Sequence, residues 1–112
     1  MNKLAILWVS GEKETALDMV LMYTLKSNVN KWWDECHLIT WGPSNSLVCR
    51  DEEVQKQLCL VQDAGVKVYA CKRCAERHDL ESQLAALGIE VDYMGEPLTK
   101  YLKDDSWKVI TI

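Results

Sequence analysis

The sequence predicts an α/β protein built on a five-stranded parallel β-sheet with helices on both faces. A chain of 112 residues has the length of one domain, so we expect a single domain spanning residues 1–112. Strand-like and helix-like segments alternate along it without repeats, linkers or low-complexity stretches. Such alternation is typical of parallel sheets with right-handed crossovers. The hydrophobic fraction of 48% is sufficient for an ordinary core.

The first half of the chain contains two predicted strands and most of two helices. Residues 4–9 are continuously apolar, as in a central strand that is covered on both faces. Residues 13–31 carry apolar side chains at helical spacing, which predicts a long helix. The second strand is predicted at 36–41, a loop at 42–46 and a second helix at 46–64.

The second half repeats the alternation with shorter elements. Gly65 is a plausible helix end, and residues 66–70 are rich in the residue types that favour strands. Leu80, Leu84 and Leu87 predict a third helix. The remaining predictions are a fourth strand at 89–93, polar on one side and therefore at a sheet edge, a short helix from Pro97 to about 103, and a fifth strand at 107–112.

Charge and hydropathy exclude several classes of function. The formal net charge is −4, and no basic face dominates, so we expect neither a nucleic-acid partner nor an anionic membrane surface. The apolar run at 4–9 is too short to span a bilayer and lacks the features of a signal peptide. We therefore expect a cytoplasmic protein, in which the odd number of five cysteines does not form a disulfide framework.

The candidate nucleophile is Cys71, at the junction of the third strand and the third helix. A thiolate there is stabilised by the positive end of the helix and by the adjacent Lys72 and Arg73. We therefore predict a Cys71 that is at least partly accessible and has a lowered pKa. Cys74 completes a C-x-x-C pair with Cys71.

Loops at the carboxyl ends of the first three strands are expected to converge on one crevice, because open α/β sheets bind ligands there. The predicted crevice around Cys71 is lined by the following residues: Ser10, Gly11, Gly42, Pro43, Ser44, Lys72 and Arg73.

Three short segments, in this order, resemble small DsrE/DsrF-like proteins. They are Trp-Gly-Pro-Ser at 41–44, Ala-Cys-Lys-Arg-Cys-Ala at 70–75, and Tyr-Met-Gly-Glu-Pro-Leu-Thr at 93–99 followed by Trp-Lys-Val at 107–109. The resemblance extends over essentially the whole chain. It implies a three-layer α/β/α fold with strand order 4-3-2-1-5, a homo-oligomer (trimer or hexamer), and sulfane sulfur carried as a persulfide on a cysteine after the third strand. Cys71 occupies that position, and Cys74 could receive the sulfur, resolve the persulfide or simply pack. A sulfurtransferase donor and a sulfur-acceptor protein are the implied partners.

Other interpretations of the same residues remain open. A dithiol redox protein also uses a C-x-x-C pair after a strand, and a structural or regulatory oligomer needs no reactive cysteine. Zinc binding by Cys71, Cys74 and His78 lacks a clear fourth ligand, and the stretch at 10–15 lacks the spacing of a phosphate loop. We therefore expect neither a metal nor a cofactor.

Cysteines and tryptophans outside these motifs are given structural interpretations. Cys36, Cys49 and Cys59 are expected to be buried or half-buried. Trp32 and Trp33 are neighbours that cannot both face one core, so one of them is expected at a subunit interface. The favoured function is a sulfur carrier.

Overall fold

A parallel sheet of five strands forms the centre of the computed structural model, which describes residues 2–112. The strands are β1 (Lys3–Trp8), β2 (Glu35–Thr40), β3 (Lys67–Cys71), β4 (Glu90–Asp92) and β5 (Trp107–Thr111). Every pairing is parallel, and the spatial order is β4-β3-β2-β1-β5. The predicted fold class and the strand order implied by the resemblance are both confirmed.

The positions of β1 and β4 follow from their side chains. β1 lies between β2 and β5. Ile6 and Trp8 are buried on one face and Ala5 on the other, as expected for a strand covered on both faces. β4 pairs only with β3, through three residue pairs from Tyr69↔Glu90 to Cys71↔Asp92. The predictions of a central first strand and an edge fourth strand are confirmed.

The first helical region runs from residue 13 to residue 29, close to the prediction, but its middle is not α-helical. It consists of α1 (Lys13–Thr15), a π-helical segment (Ala16–Leu21) and α2 (Met22–Val29). The apolar periodicity at 13–31 predicts a helix but does not distinguish these two helical types.

The prediction of one helix at 46–64 after a loop at 42–46 is wrong. α3 (Pro43–Arg50) begins inside the predicted loop, because proline is well suited to the first helical turn. α4 (Glu52–Asp63) is a separate helix. Asp51 has an extended backbone, and its Oδ1 accepts a hydrogen bond from the Val54 amide at 3.0 Å, so it caps a new helix.

The third predicted helix is also divided. α5 (Lys72–His78) ends where Asp79 takes the left-handed conformation with φ of 58°, and α6 (Glu81–Ala86) follows. The last helix, α7 (Gly95–Lys103), starts two residues before the predicted Pro97. None of the helices within residues 2–112 combines the length and the apolarity that a membrane crossing requires.

The two faces of the sheet are covered unequally. Strand side chains alternate between the faces, so Leu4, Ile6 and Trp8 join a large core with residues of the π-helical segment and of α3 to α6. The opposite face has a smaller cluster around Ala5 and Ile39, to which α7 contributes Tyr101. We call this second surface the thin face. Cys71 belongs to it.

Candidate functional site

Cys71 occupies the strand–helix junction that the sequence predicts. It is the last residue of β3 and the residue before α5, with an extended backbone that lets the chain turn from strand to helix. Its side chain packs on the thin face with Ala5, Ile39 and Met94. Only 4% of the residue is exposed, so the prediction of an accessible thiol is wrong for the single chain.

The electrostatic prediction for Cys71 is also wrong in sign. Burial raises the pKa of its thiol, and the neighbouring Cys74 thiol raises it further, although the backbone amides of Cys74 and Arg73 act in the opposite direction. The two predicted cations do not offset the effect of burial on this pKa. Arg73 is exposed, and the Lys72 ammonium lies 5.2 Å from the centre of the Tyr93 ring. The sequence shows the helix start and the cations but not the apolar side chains that cover the sulfur.

Cys74 lies beside Cys71, one helical turn later. It is half-buried and packs against the same apolar cluster as Cys71. Both cysteines are free thiols. The pair therefore presents one buried cysteine and one more accessible cysteine in the same cluster.

The loops after β1 and β2 approach each other as predicted, but the cavity that they line does not contain Cys71. Gly11, Gly42 and Pro43 border a cavity of about 460 Å³ together with residues of α3 and α5. Ser10 and Ser44 do not border it. The prediction of one crevice that combines these loops with Cys71 is therefore wrong, because Cys71 points to the thin face.

Ser44 instead holds two strand ends together. Its hydroxyl donates to the Trp8 carbonyl at 2.6 Å and accepts from the Trp41 amide at 3.0 Å. The Trp8 indole N–H donates to the Ser10 carbonyl at 2.9 Å. These bonds satisfy backbone groups at the carboxyl ends of β1 and β2 and fix both loops.

Asn45 is a site residue that the sequence analysis missed. Its side-chain Nδ2 donates to the Cys71 carbonyl at 3.4 Å, and its Oδ1 accepts from the Thr40 hydroxyl at 2.5 Å. The side chains of Asn45 and Thr40 are both fully buried. The Asn45 amide therefore connects the end of β3 to β2 through two buried hydrogen bonds. In the sequence, Asn45 stands out only as an amide residue directly after Gly-Pro-Ser. That composition is ordinary for a loop, so it does not identify a site residue.

A second missed group is centred on His37 of the thin face, which is 7% exposed. Its Nε2 lies 2.5 Å from Glu35 Oε2, and its Nδ1 lies 2.6 Å from the Tyr101 hydroxyl. A carboxylate only accepts, so in the neutral ring Nε2 donates to Glu35 and Nδ1 accepts from Tyr101. The rings of Tyr69, Tyr101 and Trp107 surround the imidazole at centroid distances of 5.6, 5.7 and 4.7 Å.

This environment changes the protonation of both titratable rings. Burial lowers the pKa of His37 from its ordinary 6.5, against the opposing effect of Glu35, so the neutral form is favoured. Burial likewise raises the pKa of Tyr101 to about 12. A hydrogen-bonded chain from Glu35 through His37 to Tyr101 therefore joins β2 to α7.

The remaining cysteines and tryptophans fit their predictions in part. Cys36 is buried and Cys49 half-buried, but Cys59 is exposed, contrary to expectation. Trp33 packs against the core while Trp32 is 57% exposed, so the two rings do face different environments. Between residues 2 and 112, no three histidine, cysteine or acidic side chains are grouped so that they could hold a metal ion.

Comparison with other proteins gives a structural result and no functional one. No protein-family model matches the chain, and no curated protein does so either. A structure of BT1422, a conserved protein of unknown function from Bacteroides thetaiotaomicron, is 40% identical, with a TM-score of 0.94 over 99% of this chain and 95% of that one.

Two more distant structures share the fold. The ychN protein from E. coli is 18% identical with a TM-score of 0.76, and MTH1491 of Methanobacterium thermoautotrophicum, a protein of unknown function, is 14% identical with a TM-score of 0.74. Each alignment covers 100% of both chains. Both neighbours have the DsrE/YchN-like fold. With its strand order and its 40% identity to BT1422, this chain belongs to the family of BT1422 and has the DsrE/YchN-like fold.

Proposed function

We propose that the protein is a cytoplasmic sulfur carrier that holds sulfane sulfur as a persulfide on Cys71. The observation that carries this proposal is the setting of the Cys71 sulfur at the start of α5, where the neighbouring amides of Cys74 and Arg73 favour its charged form inside an apolar cluster. The amides stabilise negative charge on a terminal sulfur, and the apolar cover keeps solvent and other thiols away from it. Five free cysteines fit a reducing compartment.

The loading step is a thiol–persulfide exchange. The Cys71 thiol first loses its proton, and the thiolate attacks the outer sulfur of a donor persulfide. A new S–S bond forms on Cys71 while the S–S bond of the donor breaks, and the donor leaves as a thiolate. An acceptor thiolate removes the outer sulfur by the same exchange, so no external oxidant or reductant is needed.

Burial of Cys71 means that loading needs a partner or an opening motion. Only the thiolate is nucleophilic, and the raised pKa of Cys71 keeps the thiol protonated in the closed chain. Docking of a sulfurtransferase donor that displaces the cover over Cys71 would remove this barrier. A sulfur-acceptor protein would collect the sulfur in the same way.

A second candidate function is dithiol redox chemistry, and the presence of two free cysteines in one cluster favours it. If the Cys74 thiolate attacks the inner sulfur of a Cys71 persulfide, a Cys71–Cys74 disulfide forms and hydrosulfide leaves. Cys74→Ser separates the two functions. A carrier retains its loaded sulfur longer without Cys74, whereas a dithiol redox protein loses its activity.

The carrier function is tested by loading the protein with polysulfide and measuring the cyanide-labile sulfur that it retains. All variants carry Cys59→Ser, because the exposed Cys59 thiol would otherwise react without specificity. We expect about one equivalent of labile sulfur per chain, with a loading rate that increases with pH up to and beyond the ordinary thiol pKa of 9.0.

Cys71→Ser should abolish this loading, and Cys74→Ser should preserve it. Cys49→Ser is a matched control, because Cys49 is a half-buried cysteine away from the pair. Equal loading of Cys71→Ser and its parent would overturn the carrier proposal and leave a structural oligomer as the better interpretation.

We also propose that the chain forms a homo-oligomer, a trimer or hexamer as the resemblance implies. The thin face supports this, because Trp41, Tyr69 and Trp107 remain partly exposed on it beside α7. Light scattering at micromolar concentration should give a mass of three or six times 12.9 kDa. A stable monomer would contradict the assembly without affecting the test of Cys71.

A further inference from the structure

The cavity bordered by Gly11, Gly42 and Pro43 is separate from the proposed chemistry of Cys71, which does not border it. The cavity has a volume of about 460 Å³ and lies at the carboxyl edge of the sheet, where open α/β folds bind ligands. Arg50 of α3 and Arg77 and His78 of α5 complete its border. Two separate helices therefore bring basic side chains to one concave site.

The charge of this cavity opposes that of the molecule. The chain carries a formal net charge of −4, yet the described residues that border the cavity include no carboxylate. Nor does either guanidinium form an ion pair with an acidic side chain among residues 2–112. Arg50 has only a long contact of 3.5 Å to the Gly11 carbonyl, so its other N–H donors are free for a ligand.

The glycines make room for this arrangement. A Cβ on Gly11 would lie 2.9 Å from the Pro43 Cβ, so only glycine allows the two loops to approach so closely. Gly42 has φ of 71°, a conformation that side chains disfavour. The neighbouring Glu12 carboxylate is engaged outside the cavity, where it accepts a hydrogen bond from the Thr15 hydroxyl at 2.9 Å.

We infer that this cavity is a binding site for an oxyanion, with phosphate as the representative group. Guanidinium groups bind phosphate and sulfate through paired N–H donors, and two of them border the cavity without a competing carboxylate. The Ser46 hydroxyl, also on its border, adds a neutral donor. The volume falls within the range of about 300–1,000 Å³ that is usual for ligand sites, so it accommodates a phosphate carried by a small organic group as well as the free ion.

The site is tested by titrating the ¹⁵N-labelled protein with inorganic phosphate while sodium chloride keeps the ionic strength constant. We expect saturable shifts of the Gly11, Gly42 and Ser46 amides. Arg50→Gln and Arg77→Gln should each weaken binding by about tenfold, because each removes a charge-assisted hydrogen-bond donor. Both arginines are exposed, so the variants should fold, and their circular dichroism verifies this.

Arg73→Gln is the matched control, because Arg73 is an exposed arginine of the same helix α5 that does not border the cavity. It should bind phosphate like the parent chain. A parallel titration with ribose 5-phosphate distinguishes the sources of the group: tighter binding than inorganic phosphate indicates an organic phosphate, and equal binding indicates the free oxyanion. Shifts that chloride reproduces, or an equal loss in Arg73→Gln, would overturn the inference.

Discussion

Replacing Trp8 by alanine should destabilise the protein by about 3–5 kcal/mol, the usual cost of removing a large buried aromatic side chain. Trp8 is 0% exposed and belongs to the larger core. In the variant, the Ser10 carbonyl also loses the hydrogen bond that the Trp8 indole N–H donates to it. Small domains are stable by only about 5–15 kcal/mol, so the variant should be near the limit of folding.

Urea denaturation followed by circular dichroism measures this loss. Trp32→Ala is the matched control, because Trp32 is 57% exposed and its removal should change the free energy of unfolding by no more than about 0.5 kcal/mol. Similar losses in the two variants would contradict the assignment of Trp8 to the core. A change in oligomeric mass of Trp32→Ala alone would identify Trp32 as an interface residue.

Replacing His37 by alanine should have the second-largest effect and should also change how stability depends on pH. The variant loses the ring that contacts Tyr69, Tyr101 and Trp107, and it leaves the half-buried Tyr101 hydroxyl without its partner. An unpaired buried polar group costs about 1–3 kcal/mol, to which the lost packing adds.

The pH dependence has a defined direction. Because the pKa of His37 is lowered in the folded chain, the unfolded chain binds a proton more readily. This contribution to stability is complete above the ordinary histidine pKa of 6.5 and is lost as the pH falls through the lower folded value. His37→Ala should lack that loss between neutral and acidic pH. His78→Ala, a change at the other, exposed histidine, should retain it.

Local patterns in the sequence predict the fold class, whereas the strand order is implied by the family resemblance. The apolar run of β1 predicts a central strand, and the alternation of polar and apolar residues in β4 predicts an edge strand. The reason is that a strand buried on both faces needs apolar residues throughout, whereas a strand buried on one face needs them only at alternate positions. The breaks at Asp51 and Asp79 were missed, because each depends on a backbone conformation at a single residue inside an otherwise helical pattern.

The candidate site was predicted less completely than the fold. The position of Cys71 at a strand–helix junction followed from local sequence, but its environment depends on Met94 and Ile39, which are distant in the chain. Desolvation by these contacts outweighs the helix start, and this reverses the predicted direction of the pKa. The group around His37 was missed for the same reason, because it joins β2 to α7 across the sheet.

The most direct measurement of the proposed chemistry is peptide mass spectrometry of the polysulfide-loaded Cys59→Ser protein after its thiols and persulfides are alkylated. Trypsin cleaves after Lys67, Lys72 and Arg73, so Cys71 and Cys74 fall in different peptides, 68–72 and 74–77. We predict an additional sulfur atom on peptide 68–72, with none on it in Cys71→Ser. Additional sulfur on peptide 74–77 alone, or on neither peptide, would contradict the assignment of Cys71 as the sulfur-carrying residue.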